Sequence, residues 1–593
     1  MGENKRVSWV LLRQSSLVIV LVLEGFMLSV AQYHSTAIPS VEAIQRIGVT
    51  QKPESEIHAA MNPLDEKNLI VAGMRYHPRN PEINLSFSLY RSTDFGERWI
   101  ESGFDATSLV KPIQAGGDPV VAFDKSANAH FVWLMYKLNP GSLQGEVGIY
   151  YAYSTDQGSS WMPSNLPIVS GKVSFTPGNG QTDPRSQVVD KPWITVDDTE
   201  SAFQGNVYVV YYSVESQSLG GQHIYCVRKG ARNSTFSTSP VRVNSVDYED
   251  IQFATADLTA DGALHVCFWG KRFGSLPALF HAVSYDGGKT FKAENRIAPI
   301  AFPPRADFTS FFPSNVKGID RLYPAPQLQA DASQGKYTGN LYVVWNAYGT
   351  DTFSTEGLDI YFSRSTDGGR TWAEPYVINN DSLGSIHQHH PSLTINPEGV
   401  VVSTWYDRRI DPLGNQYALY YMGISTNGGL SFEQQFPISE LPLNFQTVGA
   451  KNFGFGIGEY NQVLASSDFA LPIWADGIED EGTPHIFSKK IPLPEMDQLS
   501  TSGTPSLRPL HLMGPYPNPI PLDRIQYFQV ISSLPQTVNW KIKDLQGRIL
   551  LQSRSLTGKE VALSLIDFPS GIYFFIIETP SGEVVAVKKL LLP

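Results

Sequence analysis

A Ser-x-Asp-x-Gly-x-x-Trp/Phe pattern recurs along the chain, and each recurrence closes a run of β-forming residues. It appears at Ser92–Trp99, Ser154–Trp161, Ser284–Phe291 and Ser365–Trp372, and once more at Ser425–Phe432 with Asn427 in place of Asp. The physics is that of a hairpin turn. The Asp or Asn side-chain oxygen accepts backbone N–H groups of its own turn, glycine takes a positive φ that side chains resist, and the aromatic packs beneath. A chain built on such a unit is a repeat protein of many short strands.

These residues resemble the Asp-box, or BNR repeat, of sialidase-like β-propellers. The resemblance implies a propeller and says little about chemistry, because the motif holds a turn and no substrate. Aligned on whole units, seven beginnings stand out, near His58, Pro119, Pro192, Gln252, Pro326, Pro391 and Tyr460. Second strands follow, as in Asn206–Tyr211, Asn340–Trp345 and Val400–Trp405. The expected fold is therefore all-β, a seven-bladed propeller over 40–491, with six blades, as in sialidases proper, as the alternative. The third unit has lost its box and the seventh shows none. The seventh also looks short of an outer strand, which Ile47-Gly48-Val49-Thr50 is expected to supply, removing an exposed edge.

Composition narrows the class further. The chain has 593 residues, 49 Gly, 41 Pro and a formal net charge of −12, which leaves little room for helix and argues against nucleic acid as a partner. Lys5, Arg6 and Arg13 precede an apolar run from Leu17 to Ala31 ending in a small-x-small sequence, so 1–31 reads as an export signal. No later stretch is long and apolar enough to span a membrane. Cys226 and Cys267 are the two cysteines, and both a bridge between them and a pair of buried thiols fit.

After a Pro/Ser/Thr-rich linker over 492–512, composition shifts to a small β-sandwich module over 513–593. Tyr516-Pro517-Asn518-Pro519, Asp544–Arg548, Pro569–Tyr573 and Lys588-Lys589-Leu590 resemble, in order and spacing, the C-terminal sorting domain of the type IX secretion system. That resemblance implies a Bacteroidetes bacterium, passage through the periplasm, the type IX machinery as a partner, and release or anchoring at the cell surface.

In a propeller the starts of the inner strands and the ends of the second strands surround one mouth. Reading those positions gives Glu56, Asp118, Asp190 with Lys191, Asp250, His389 with His390, and Glu459 with Tyr460, together with Arg75, Arg272 and Arg408. Loops at 170–188 and 301–318 are expected to wall a cleft, and Phe302, Phe308, Phe311 and Phe312 of the second either stack on sugars or fill the loop itself. A sialidase uses three arginines on the substrate carboxylate, a Tyr nucleophile with a Glu partner, and an Asp acid/base. By that resemblance Arg75, Arg272 and Arg408 would grip substrate with Asp190 nearby, and Glu459, Tyr460 and Asp118 would be catalytic. The Arg-Ile-Pro motif of the family is absent, and adjacent residues such as Glu459 and Tyr460 should face opposite sides of a strand. The acidic ring suits an anionic sugar poorly. Its carboxylates offer oxygen ligands to a divalent cation such as calcium, or stay solvated. His387-Gln388-His389-His390 reads as polarity on the rim. The expectation is an exported propeller engaging an extracellular glycan or glycoprotein, glycoside hydrolysis included; a non-catalytic adhesion platform and a polysaccharide lyase are the alternatives.

Overall fold

The computed structural model describes residues 43–494 and 511–592, apart from 78–84, 106–114, 140–141, 143, 175–185, 215–220, 303–315, 320–321, 351–356, 382–383, 449–455, 481, 517–524, 532–536, 557–559, 566–567 and 579–583. The expected export signal, most of the linker, and Phe308, Phe311 and Phe312 lie outside the described residues. The one α-helix among the described residues is the single turn Phe445–Val448. No helix among them is long and apolar enough to cross a membrane.

Among the described residues, seven antiparallel sheets follow one another from Gln45 to Pro492. Their inner strands are Glu54–Asn62, Ala115–Phe123, Val188–Val196, Asp250–Leu258, Gln327–Ala330, Gln388–Ile395 and Gln462–Ala465. Each inner strand packs against the next, and the seventh packs back against the first. Because neighbouring sheets cover both faces of most strands, a second strand such as Val207–Val214 reads as a continuous apolar run. The same logic buries Trp133, Trp269, Trp345, Trp405 and Trp474 at corresponding places on five second strands.

The seventh sheet is closed by the N-terminal segment. Gln45–Ile47 pairs with Thr483–Ser488, Ile47 opposite Ile486. The closing strand ends at Ile47, so of the expected Ile47–Thr50 only the first residue takes part, because Gly48 at φ +81° turns the chain away. The expected loop at 170–188 begins instead as strand Val169–Ser174, which extends the second sheet beyond Gln144–Ser154.

The repeated turns are built as their chemistry requires, with one partner that the Asp-centred reading omitted. Ser92 Oγ donates to Asp94 Oδ1 at 2.8 Å and accepts the Gly96 N–H at 2.9 Å, while Asp94 Oδ1 accepts the Arg98 N–H at 2.9 Å. The turns at Ser154, Ser284 and Ser365 repeat this bonding. Asn427 serves as well, accepting from Leu430 and Ser431.

Cys226 and Cys267 are both free and buried. Burial pushes the Cys226 thiol up to about 12, so it packs as a small hydrophobe. The C-terminal module has two antiparallel sheets, of three and four strands, with Val538, Trp540, Ile542, Phe575 and Ile577 in its core.

Candidate functional site

At the start of the inner strands the backbone departs from regular pleating. In the first, second, third, fourth and sixth sheets the register slips by one residue, and the extra residue is left-handed: Glu56 (φ 53°), Asp118 (φ 52°), Lys191 (φ 51°), Phe253 (φ 54°) and His390 (φ 54°). A non-glycine residue in this region costs about 1–3 kcal/mol, and such bulges re-aim side chains. Here they aim charged groups at one another. Asp250 sits outside this set: as the first residue of its strand it pairs with Lys271, and Phe253 takes the bulge.

Lys191 is the centre of the arrangement. Its Nζ lies 2.7 Å from Asp118 Oδ1 and 3.6 Å from Glu56 Oε1, and forms an ion pair with Glu459 Oε2. Glu56, Asp118 and Glu459 each present an oxygen within 4.8 Å of the others. Glu56 Oε2 also accepts the Asp118 N–H at 3.2 Å. The backbone is sewn across the closure, with Glu56 N–H donating to Ile457 O and Ile57 N–H to Tyr460 O, each at 3.1 Å. Gly458 permits this contact, since a Cβ there would lie 2.3 Å from the Glu56 nitrogen.

The charges do not balance, and burial decides how. Desolvation, with Asp118 and Glu459 adding to it against Lys191, pushes Glu56 up to about 8. Desolvation and the neighbouring Asp118 likewise push Asp190 up to about 8. Burial works against the Lys191 ammonium, but Asp118, Glu459, Glu56 and Asp190 outweigh it and its pKa rises well above 10.5. Glu56, Asp118 and Glu459 are buried, whereas Asp190 and Lys191 keep part of their surface open. For a divalent cation the three carboxylates are suitable oxygen donors, yet the cation already among them is the chain's own ammonium.

Tyr460 is buried beneath the cluster, and burial together with Glu56 and Asp118 raises its pKa well above 10. Its hydroxyl has no hydrogen-bond partner among the described residues. The His58 ring meets Trp193 edge-on at 4.7 Å, Trp193 meets Tyr460 edge-on at 6.4 Å, and Lys191 lies 5.4 Å from the centre of the Phe253 ring. One small cavity beside the cluster, of about 20 Å³, lies between Lys191, Trp193, Phe253, Gln327 and Tyr460.

The structure thus brings Asp118, Asp190, Glu459 and Tyr460 together with Glu56 and Lys191. The opposite facing expected of adjacent residues does not hold at Asp190-Lys191, because the bulge turns Lys191 onto Asp118, which Asp190 also bonds. The three arginines are engaged elsewhere, each by its own surroundings. Arg75 binds Glu54 at 2.9 Å, Glu101 at 2.6 Å and the Tyr90 hydroxyl at 2.9 Å. Arg272 binds Glu294 at 2.9 Å and the Tyr248 hydroxyl at 3.2 Å. Arg408 is fully buried over Phe445, with Nε donating to His389 Nε2 at 3.0 Å and Nη1 to the carbonyls of Lys317 and Asn415. A shared grip on one carboxylate needs guanidinium groups that converge, and each of these three is bonded to its own separate partners. The histidine cluster is likewise internal and not rim polarity: His389 and His390 are buried and held neutral by desolvation, their Nδ1 atoms 2.8 Å apart.

Residues 515–592 match the secretion system C-terminal sorting domain. The chain carries a type IX sorting signal. That domain directs the protein to the cell surface or the medium. No curated protein matches the chain in sequence. Among solved structures, similarity extends to a protein of unknown function from Dyadobacter fermentans (TM-score 0.38, 16% identity, 61% of this chain and 94% of that one). It extends also to a Penicillium chrysogenum α-L-arabinanase (0.40, 13%, 62% and 94%) and to a mutant of Trypanosoma rangeli sialidase displaying trans-sialidase activity (0.36, 12%, 64% and 54%).

Proposed function

We propose that this exported chain is a seven-bladed propeller whose axial mouth engages extracellular glycans, and that the acidic cluster there hydrolyses neutral glycosides. The observation that carries the reading is the convergence of Glu56, Asp118, Asp190 and Glu459, from the first, second, third and seventh sheets, on Lys191. Glycoside hydrolysis needs one carboxyl that keeps its proton beside another that gives it up. Asp190, partly exposed and pushed to about 8, supplies the acid; Asp118 and Glu459, facing the ammonium, are the partner groups. A neutral sugar fits better than a sialoside, because Arg75, Arg272 and Arg408 each satisfy other groups.

The test is hydrolysis of neutral aryl glycosides and sialosides by the full chain and by Asp190→Asn and Glu459→Gln. Loss of about 10²–10⁴-fold on a neutral substrate in both variants supports the reading. Activity confined to sialosides, or undiminished in both variants, overturns it. The second reading, a non-catalytic adhesion propeller, is favoured by the burial of Glu56, Asp118 and Glu459, which suits a hub that ties the ring together. Inactivity on every substrate would select it.

A further inference from the structure

The closure of the ring leaves a groove that the axial mouth does not use. Gln45–Ile47 lies on the rim of the seventh sheet, and the chain then crosses to Glu54–Asn62 in the first. Between this crossing and the outer strands of the first sheet is a cavity of about 410 Å³, in the range of about 300–1,000 Å³ that holds small ligands. Its walls include Gly48, Val49, Tyr90, Glu97, Trp99 and Glu101.

Each wall has a chemical character. Any Cβ on Gly48 would come within 2.3 Å of the Tyr90 hydroxyl, so glycine lets the crossing chain lie flat on that ring. Val49 is 91% exposed and forms an apolar lip. Trp99 ends the first Ser-x-Asp turn and is only partly buried, leaving an aromatic wall. Glu97 is exposed, and Glu101 gives Oε1 to Arg75 while its side chain stays 42% exposed. The one cation on the wall, Arg46, is held by Glu479 at 2.9 Å. An aromatic surface beside acceptor-rich edges, with its cation already neutralised, suits a ligand that has an apolar ring face and several hydroxyl donors.

We propose that this seam groove is a second carbohydrate site, taking a neutral sugar with its ring against Trp99 and its hydroxyls donating to Glu97 and Glu101. An anionic ligand would meet two carboxylates. The site uses the outer strands of the first sheet and no residue of the Lys191 cluster, so it stands whether or not the mouth is catalytic. On an exported chain it provides a second point of attachment to a polysaccharide.

The test is calorimetric titration of the full chain, and of the Asp190→Asn chain in which the mouth is disabled, with neutral xylo-, arabino-, manno- and gluco-oligosaccharides. Trp99→Ala should weaken binding at least tenfold and Glu97→Gln several-fold. Trp161→Ala and Trp372→Ala remove the same turn residue from other sheets and should leave affinity unchanged, which separates lost contact from a loosened turn. Absence of binding to the whole panel, equal weakening by Trp99→Ala and Trp161→Ala, or preference for acidic over neutral oligosaccharides would overturn the proposal.

Discussion

Lys191 faces Asp118, Glu459 and Glu56 from a left-handed backbone, so its removal leaves buried carboxylates without a counter-ion. Breaking a buried ion pair from one side costs about 3–5 kcal/mol, and that is the loss expected for Lys191→Met in denaturant titrations. The loss should be smaller at pH 5 than at pH 8, because protonated carboxyls need no partner. In the unmutated chain Glu56 and Asp190 have folded pKa values near 8, above their unfolded values. The folded state therefore binds more protons than the unfolded one between about pH 4 and 8, and these two groups lower stability progressively as pH rises through that window. Below it their penalty is absent. His58 works oppositely: burial lowers it to about 3, so its cost appears as pH falls below 6.5. Asp190→Asn should flatten the decline between pH 4 and 8 while leaving the acid-side loss intact, as read from melting temperature against pH. If Asp190 is the proton donor, kcat/KM should fall as pH rises through about 8.

A strand or a turn in this chain is a repeated solution to the same local problem. The Ser-x-Asp-x-Gly signature foretold the turn, since side-chain acceptors, glycine and an aromatic act within one short loop. Ser154→Ala removes a donor to Asp156 and an acceptor for the Gly158 N–H, and should cost about 1–2 kcal/mol by thermal or chemical melting. The inner-strand bulges were harder to see. Their trace is a proline after the left-handed residue, in Asp118-Pro119, Lys191-Pro192 and His390-Pro391, where the ring removes a ladder donor. Strict alternation fails at Asp190 and Lys191 because it assumes an unbroken pleat. The closing strand makes a separate prediction. Ile47 is fully buried between sheets, so Ile47→Asp should cost about 2–5 kcal/mol and broaden the unfolding transition as the seventh sheet loses its outer strand.

At the scale of the molecule, ring closure joins the ends of the repeat array, and two features follow from it. The axial cluster gathers residues from Glu56 to Glu459, and the seam groove forms where the N-terminal strand leaves the seventh sheet for the first. The sorting domain is a separate instruction, written in its own short motifs and readable from them. The sequence by itself determined the all-β class, the repeating turn, the missing outer strand and the export route, because each depends on residues close together in the chain or on a uniform hydrophobic pattern. Only the tertiary structure decided which charges meet. Arg75 lies on a second strand and Arg272 and Arg408 just past the ends of two others, but Glu54, Glu294 and the Lys317 and Asn415 carbonyls bind them separately. Lys191, which the sequence placed at the mouth without a role, became the hub because a one-residue slip in register redirected it towards carboxylates up to 268 residues away in the chain, a contact fixed by packing around an axis.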